Sequence, residues 1–282
     1  MRLSTANAEL RAKLGEKRAL EMSKEAGVDA VDYTFHGYFD AMGDDYKEYA
    51  AEVRAFLDKI GLPCNQAHAP FDIKYGEKFD ISTYNYLIVV RSIEAAAILG
   101  ADSIIVHGIP VPEGQGIDAV EYNIKYYKSL QPVAEKAGIK IAVENLFTYT
   151  EFNRYHKGFL CTTRELCGIV KALASPTFIA CFDLGHAAIT GTTPEDFLND
   201  AEKGIIKAVH IHDNDRVGDK HMLPYTGEMN WEAIMQAFKK YEYEGDFTFE
   251  VVRYLSKLPA EVMPEALKLL VKVGIHLISL MK

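Results

Sequence analysis

A chain of 282 residues, 49% hydrophobic and 25% charged, is long enough to bury a sizeable core and too apolar to be disordered. Its formal net charge of −9 opposes sequence-independent attraction to a phosphate backbone, so nucleic acid is not the expected partner. No run approaches the roughly 20 uninterrupted apolar residues of a membrane span, and the N-terminal MRLSTANAELRAKLGEKRAL lacks an apolar run of signal-peptide length.

Four cysteines without CxxC spacing (Cys64, Cys161, Cys167, Cys181) read as reduced packing residues, and a cytoplasmic location with no membrane contact is expected. In chain order, short apolar or β-branched runs predict strands near Arg2–Asn7, Ala30–Phe35, Pro63–His68, Ser103–His107, Lys140–Asn145, Phe178–Asp183, Ile206–His212 and Phe247–Val252. Between and after them lie the helical stretches EKRALEMSKEAG, YKEYAAEVRAFLDKIG, YLIVVRSIEAAAILG, EYNIKYYKSLQPVAEKAG, TTRELCGIVKALA, TPEDFLNDAEKG, NWEAIMQAFKKYEYEG and PEALKLLVKVGIHLISLM. Six of the first seven close on glycine, which tolerates the left-handed conformation just past a helix end. Eight strand–helix units without a Pro-, Gly- or Ser-rich linker predict one α/β domain over residues 1–282, a parallel (β/α)8 TIM barrel. An open doubly wound sheet is less well supported, because no GxGxxG follows the first strand.

Side chains on a barrel strand alternate between the helix layer and the interior, so sequence parity assigns each residue a side. In the fifth strand Ile139, Ile141 and Val143 share one face while Ala142 and Glu144 share the other. The same alternation sets Asp183 with Ile179 and Cys181, His210 and His212 opposite Val209 and Ile211, Glu250 opposite Phe249 and Val251, and His107 opposite Ile104 and Val106. Each polar member is expected to face the barrel axis at the C-terminal end of its strand, where barrel enzymes place their chemistry.

Glu144, Asp183 and Glu250 are thus expected to converge with His210 and His212. Crowded carboxylates repel, and no Lys or Arg holds a matching inward position, so a divalent cation is the expected compensation. His68 and His107 read as hydrogen-bonded structural residues or as further ligands, and His186, in DLGH, as a ligand or a substrate contact. Asp219 and His221, in DKH, read as additional ligands or a solvated loop. Asp213, Asn214 and Asp215 are expected to be solvated or to make local turn bonds. Asn230 in TGEMNW is expected to cap the seventh helix, and Arg253 to contact a phosphate or hydroxyl or to form a surface salt bridge. His36 and His156 read as loop residues, and the loop tyrosines and phenylalanines as packing rather than a sugar-stacking platform.

The segments AHAPF, VHG, AVENL, CFDLGHA, VHIHDND, DKH, GEMNW and FEVV together resemble the xylose isomerase-like TIM-barrel superfamily, from the third strand to the eighth. That group holds sugar phosphate isomerases and epimerases, ketose 3-epimerases, inosose-processing enzymes and the endonuclease IV type of DNA-repair enzyme. By resemblance to the epimerase branch, Glu144, Asp183, His212 and Glu250 would hold one divalent ion. Glu144 and Glu250 would also exchange protons with a sugar substrate. His186 matches a substrate-contacting histidine, and Arg216 matches a substrate arginine only loosely. The endonuclease branch would use His68, His107, Glu144, Asp183, His186, His210, Asp219, His221 and Glu250, but the acidic balance and the lack of Arg-rich or intercalating loops favour the sugar enzyme.

The resulting expectation is a divalent-metal-dependent isomerase or epimerase of a small sugar, sugar phosphate or cyclic polyol ketone, working through an enediolate. Mixed nitrogen and oxygen ligands fit zinc, manganese or cobalt, with magnesium less favoured. A homo-oligomer is expected by analogy with the family.

Overall fold

The computed structural model describes residues 1–37, 43–112, 114, 116–149, 155–156 and 158–282. Eight parallel strands, β1 (Leu3–Ala6), β2 (Ala30–Thr34), β3 (Cys64–His68), β4 (Ser103–Val106), β5 (Lys140–Glu144), β8 (Phe178–Asp183), β9 (Ile206–His210) and β10 (Phe247–Phe249), run in the order β10-β1-β2-β3-β4-β5-β8-β9. The seam is closed by Ile211, whose N–H donates to Thr248 O at 2.8 Å and whose carbonyl accepts from Glu250 N at 3.1 Å. A small antiparallel pair, β6 (Thr148–Tyr149) and β7 (Tyr155–His156), lies in the loop after β5 and was not expected from the sequence.

Helices α2 (Glu16–Ala26), α3 (Tyr46–Ile60), α4 (Tyr84–Leu99) and α5 (Ala119–Ala137) stop where expected, each at a left-handed glycine. Two others end early: α8 (Pro194–Asp200) at Ala201, short of Gly204, and α9 (Trp231–Tyr241) at a left-handed Glu242, short of Gly245. Gly245 serves a different purpose, since a Cβ there would lie 2.5 Å from the Lys207 carbonyl on β9. Three helices absent from the sequence expectation, α1 (Ala8–Leu14), α7 (Leu184–Ile189) and α10 (Val252–Ser256), sit at the C-terminal ends of β1, β8 and β10. They are too short to display an amphipathic repeat. The remaining helices are α6 (Thr163–Leu173), begun by a Thr162–Glu165 capping box, and α11 (Met263–Leu280).

The core divides as parity requires. One large apolar cluster fills the space between strands and helices, including Ile141, Val143, Phe182, Val209 and Phe249. A separate small cluster of Ile105, Ala142, Ile179, Cys181 and Ala208 lies inside the barrel, where room is limited. Ile105, Ala142, Cys181 and Ala208 precede His107, Glu144, Asp183 and His210 by two residues along their strands, so the apolar plug forms the floor beneath those polar side chains. All four cysteines are buried and free. Among the described residues no helix is long and apolar enough to cross a membrane.

The last helix closes over the first and last strands. A Cβ on Gly274 would lie 2.9 Å from Phe249 Cε2 and still closer to Leu3. Gly274→Val is therefore expected to overpack this contact and cost about 1–3 kcal/mol, read as a lower urea midpoint. An unchanged midpoint would contradict close packing there.

Candidate metal centre at the barrel mouth

Strand ends deliver the polar side chains to one place. Glu144 ends β5, Asp183 ends β8 and caps α7 by accepting His186 N at 2.7 Å, His210 ends β9, and Glu250 follows β10. One ligand atom from each of Glu144, Asp183, His210 and Glu250 lies within 4.8 Å of every other. His210 Nδ1 stands 2.5 Å from Glu144 Oε1, 3.4 Å from Glu250 Oε2 and 3.8 Å from Asp183 Oδ2. His212 Nε2 lies 3.1 Å from both oxygens of Asp183 and groups separately with His221 and Glu250. His68 and His107 form a third group with Glu144. These groups bring together Glu144, Asp183 and Glu250 with His68, His107, His210, His212 and His221, while His186 and Asp219 line the cavity beside them. The geometry gives His210 the place among the three carboxylates and sets His212, the histidine preferred from the resemblance, beside Asp183.

Local structure orients these rings. The Nδ1–H groups of His68, His186 and His221 donate to the carbonyls of Ala69, Asn145 and Glu250 at 2.8, 2.8 and 2.7 Å. A carbonyl only accepts, so Nδ1 carries a proton and Nε2 is turned away from the backbone, the orientation of a metal-ligating histidine. Asn145 clamps the tip of β8, accepting from Asp183 N at 2.7 Å and donating to Asp183 O at 2.9 Å. The glycine of DLGH is needed for closeness, because a Cβ on Gly185 would lie 2.5 Å from His212 Nε2.

The donor set fits a divalent cation. Glu144 Oε2, His107 Nε2, His212 Nδ1 and Asp219 Oδ1 are buried without a hydrogen-bond partner. Glu144 Oε2 and His107 Nε2 are 2.6 Å apart, though not in ordinary hydrogen-bonding geometry. Burial acts to raise the Glu144 carboxyl, but His210 and His107 outweigh it and hold the group well below the usual carboxylate range. Burial is likewise outweighed at Asp183 by His186 and His212, which lower it. His221 is pushed up to about 10, burial being overcome by Glu250 and by Asp219, whose carboxylate lies 2.8 Å from Nε2. Cys181 is also within reach of Glu144 and His210, but burial raises its thiol well above the ordinary value, so it stays a protonated packing group.

The loop after β9 departs from expectation. Asp213 and Asn214 are fully buried rather than solvated. Asp213 accepts from Asn214 N, Met229 N, Gly227 N and Trp231 Nε1 at 2.9, 3.2, 3.1 and 2.8 Å. Its backbone pairs with Met222 in both directions, folding Asp219 and His221 back over the mouth. Asn230 caps α9 as expected, accepting from Ala233 N at 3.2 Å, and Asp215 makes turn bonds to Val217 N and Gly218 N. Nothing local in the sequence marks Asp213, because Trp231 Nε1 becomes its donor only once the loop is closed.

Above the polar floor lies a cavity of about 440 Å³, one wall of which is apolar: Phe71, Pro110, Leu146, Phe147 and Phe159. Phe71, 46% exposed, stacks between His36 at 3.8 Å and His107 at 4.7 Å. This ring is a cavity wall, contrary to the expectation of packing alone. Arg216, at a left-handed turn (φ 55°), and Arg253, on α10, are exposed and do not line the cavity, so the two expected arginine contacts fall outside it. The side chain of His156 lies outside the described residues. Asp213→Ala would strip four donors of their shared acceptor. It is expected to destabilise the protein by roughly 3 kcal/mol and to speed amide exchange across 213–231. Unchanged exchange would show that the loop is held by other contacts.

Among curated proteins, an uncharacterized protein of Methanocaldococcus jannaschii is 30% identical over 166 residues, 56% of this chain and 54% of that protein, so the chain spans about half of that relative's length. A D-tagatose 3-epimerase-like protein superposes with a TM-score of 0.74 at 22% identity, over 98% of this chain and 99% of the other. The IOLI protein with a bound zinc atom gives 0.74 at 19% identity, over 99% and 98%. At these identities the likeness is one of fold. The family model described as xylose isomerase-like TIM barrel matches residues 20–273, and the chain belongs to that family.

Proposed function

We propose that the protein is a divalent-metal-dependent isomerase or epimerase of a small sugar, sugar phosphate or cyclic polyol ketone. The observation that carries this reading is the convergence of Glu144 and Glu250 on one buried centre, surrounded by histidines whose Nδ1 protons are committed to backbone carbonyls. The fold shared with a D-tagatose 3-epimerase-like protein, and the zinc named in the IOLI structure, support it.

Glu144, Asp183, His212 and Glu250 would hold the ion, with His68, His107, His210, Asp219 and His221 close enough to complete or extend the set. A zinc, manganese or cobalt ion bound there supplies Lewis acidity that makes the carbon next to a substrate carbonyl easier to deprotonate. Glu144 and Glu250 would perform the proton transfers, one removing the proton to give an enediolate and the other returning it. His186 would orient a substrate hydroxyl. The apolar wall of Phe71, Leu146 and Phe147 excludes water from one side of the cavity and offers a surface for the C–H face of a sugar ring.

Stripping divalent ions with a chelator is expected to abolish turnover on a panel of ketoses and keto-polyols, and zinc, manganese or cobalt to restore it. Glu144→Gln and Glu250→Gln are each expected to lower the metal-restored rate by about 10²–10⁴-fold with far-UV circular dichroism retained. Full activity in either variant would refute its proton-transfer role. Cleavage of an abasic-site duplex, with no ketose turnover, would instead assign the nine-residue ligand set to DNA repair.

A further inference from the structure

The paired residues of β5 and β8 end with Glu144 opposite Cys181, after which the first chain leaves the sheet, Leu146 N donating to Leu160 O at 2.9 Å. Asp183 lies two residues beyond that last pair. There the side chain of Asn145 takes over from the ladder: its Oδ1 accepts from Asp183 N at 2.7 Å and its Nδ2 donates to Asp183 O at 2.9 Å. A backbone N–H only donates and a carbonyl only accepts, so the two partners fix which way the amide faces, and both bonds need a side chain that offers a donor and an acceptor side by side. Asn145 and Asp183 are fully buried, so water does not stand in for either bond. The Asn145 carbonyl accepts from His186 Nδ1 at 2.8 Å, and His186 N donates to Asp183 Oδ1 at 2.7 Å, so the tips of β5 and β8 and the start of α7 form one knot.

We propose that Asn145 is a positioning residue for the metal centre: its side-chain amide fixes the tip of β8 against the tip of β5, and so the separation of the Glu144 and Asp183 carboxylates that would share the ion. The inference rests on the metal centre proposed above. Glu144 is the residue immediately before Asn145, so a displacement of the tie displaces one carboxylate relative to the other. On its far side Asp183 is held through β9, opposite His210 in the ladder and 3.1 Å from His212 Nε2. Without the amide that side alone would hold it. A leucine at 145 would fill a similar space and leave the Asp183 N–H and carbonyl buried without partners, which the tip of β8 can relieve only by moving away from β5. Groups that hold a ligand in this way typically matter about 10–100-fold for metal affinity.

The test is zinc titration of the full chain against a chromogenic chelator, paired with the urea midpoint of each zinc-free protein. Asn145→Leu is expected to lower zinc affinity about 10–100-fold. The control is Tyr241→Phe. The Tyr241 hydroxyl also brackets a backbone N–H and a carbonyl, accepting from Ile206 N and donating to Glu202 O, both at 2.9 Å, but at the N-terminal end of β9, the opposite end from the mouth. Tyr241→Phe is expected to lower the urea midpoint and to keep the wild-type zinc affinity. Should Asn145→Leu not fold, Asn145→Ser, whose shorter hydroxyl can keep only one of the two bonds, is read in the same way. Wild-type zinc affinity in a folded Asn145 variant would overturn the proposal. So would an equal loss of affinity in the Asn145 variant and in Tyr241→Phe, which would mark a general consequence of lower stability. A wild type that takes up no zinc, manganese or cobalt would overturn the metal centre itself, and this proposal with it.

Discussion

Repulsion among Glu144, Asp183 and Glu250 is the constraint to which the top of this barrel answers. Glu144 and Asp183 have at most 1% of their surface exposed, and Glu250 is only partly open. At an effective dielectric near 20, two like charges about 4 Å apart cost roughly 4 kcal/mol, comparable with much of the net stability of a domain. Such a cluster persists only if positive charge is placed among the oxygens. The surrounding histidines, several with Nε2 directed inward, and the buried acceptors lacking hydrogen bonds are what a divalent cation would use.

The barrel supplies the geometry that makes this crowding controlled. Each strand spends its outward side chains on the helix layer and its inward ones on a narrow interior, so two residues past the plug of Ala142, Cys181 and Ala208 the chain opens at the mouth. Rigid support comes from below and from the side. Asn145 ties β5 to β8, Gly185 admits the His212 ring against α7, and Asp213 gathers the long loop that returns Asp219 and His221 to the site.

The strand–helix alternation and the inward parity of Glu144, Asp183, His210 and Glu250 were legible because both depend on periodicities of the chain itself. The glycine stops of α2 to α5 were legible for the same reason. What escaped depends on tertiary neighbours. Asp213 looks like any loop aspartate until Trp231 is brought beside it, and Phe71 looks like packing until His36 and His107 flank its ring. Gly245 mimics a helix stop but answers to the Lys207 carbonyl. The distant arginines show the converse error: Arg216 matched the family pattern only loosely in spacing, and the turn that places it directs it to solvent.

Anomalous X-ray scattering from crystals of the zinc-loaded protein would decide whether a cation occupies the mouth. The expected result is a peak about 2.0–2.2 Å from carboxylate oxygens of Glu144, Asp183 and Glu250 and from a ring nitrogen of His212. No peak within reach of those three acids, under conditions where zinc is bound stoichiometrically, would mean that their charges are balanced by protons alone and that the ion sits elsewhere.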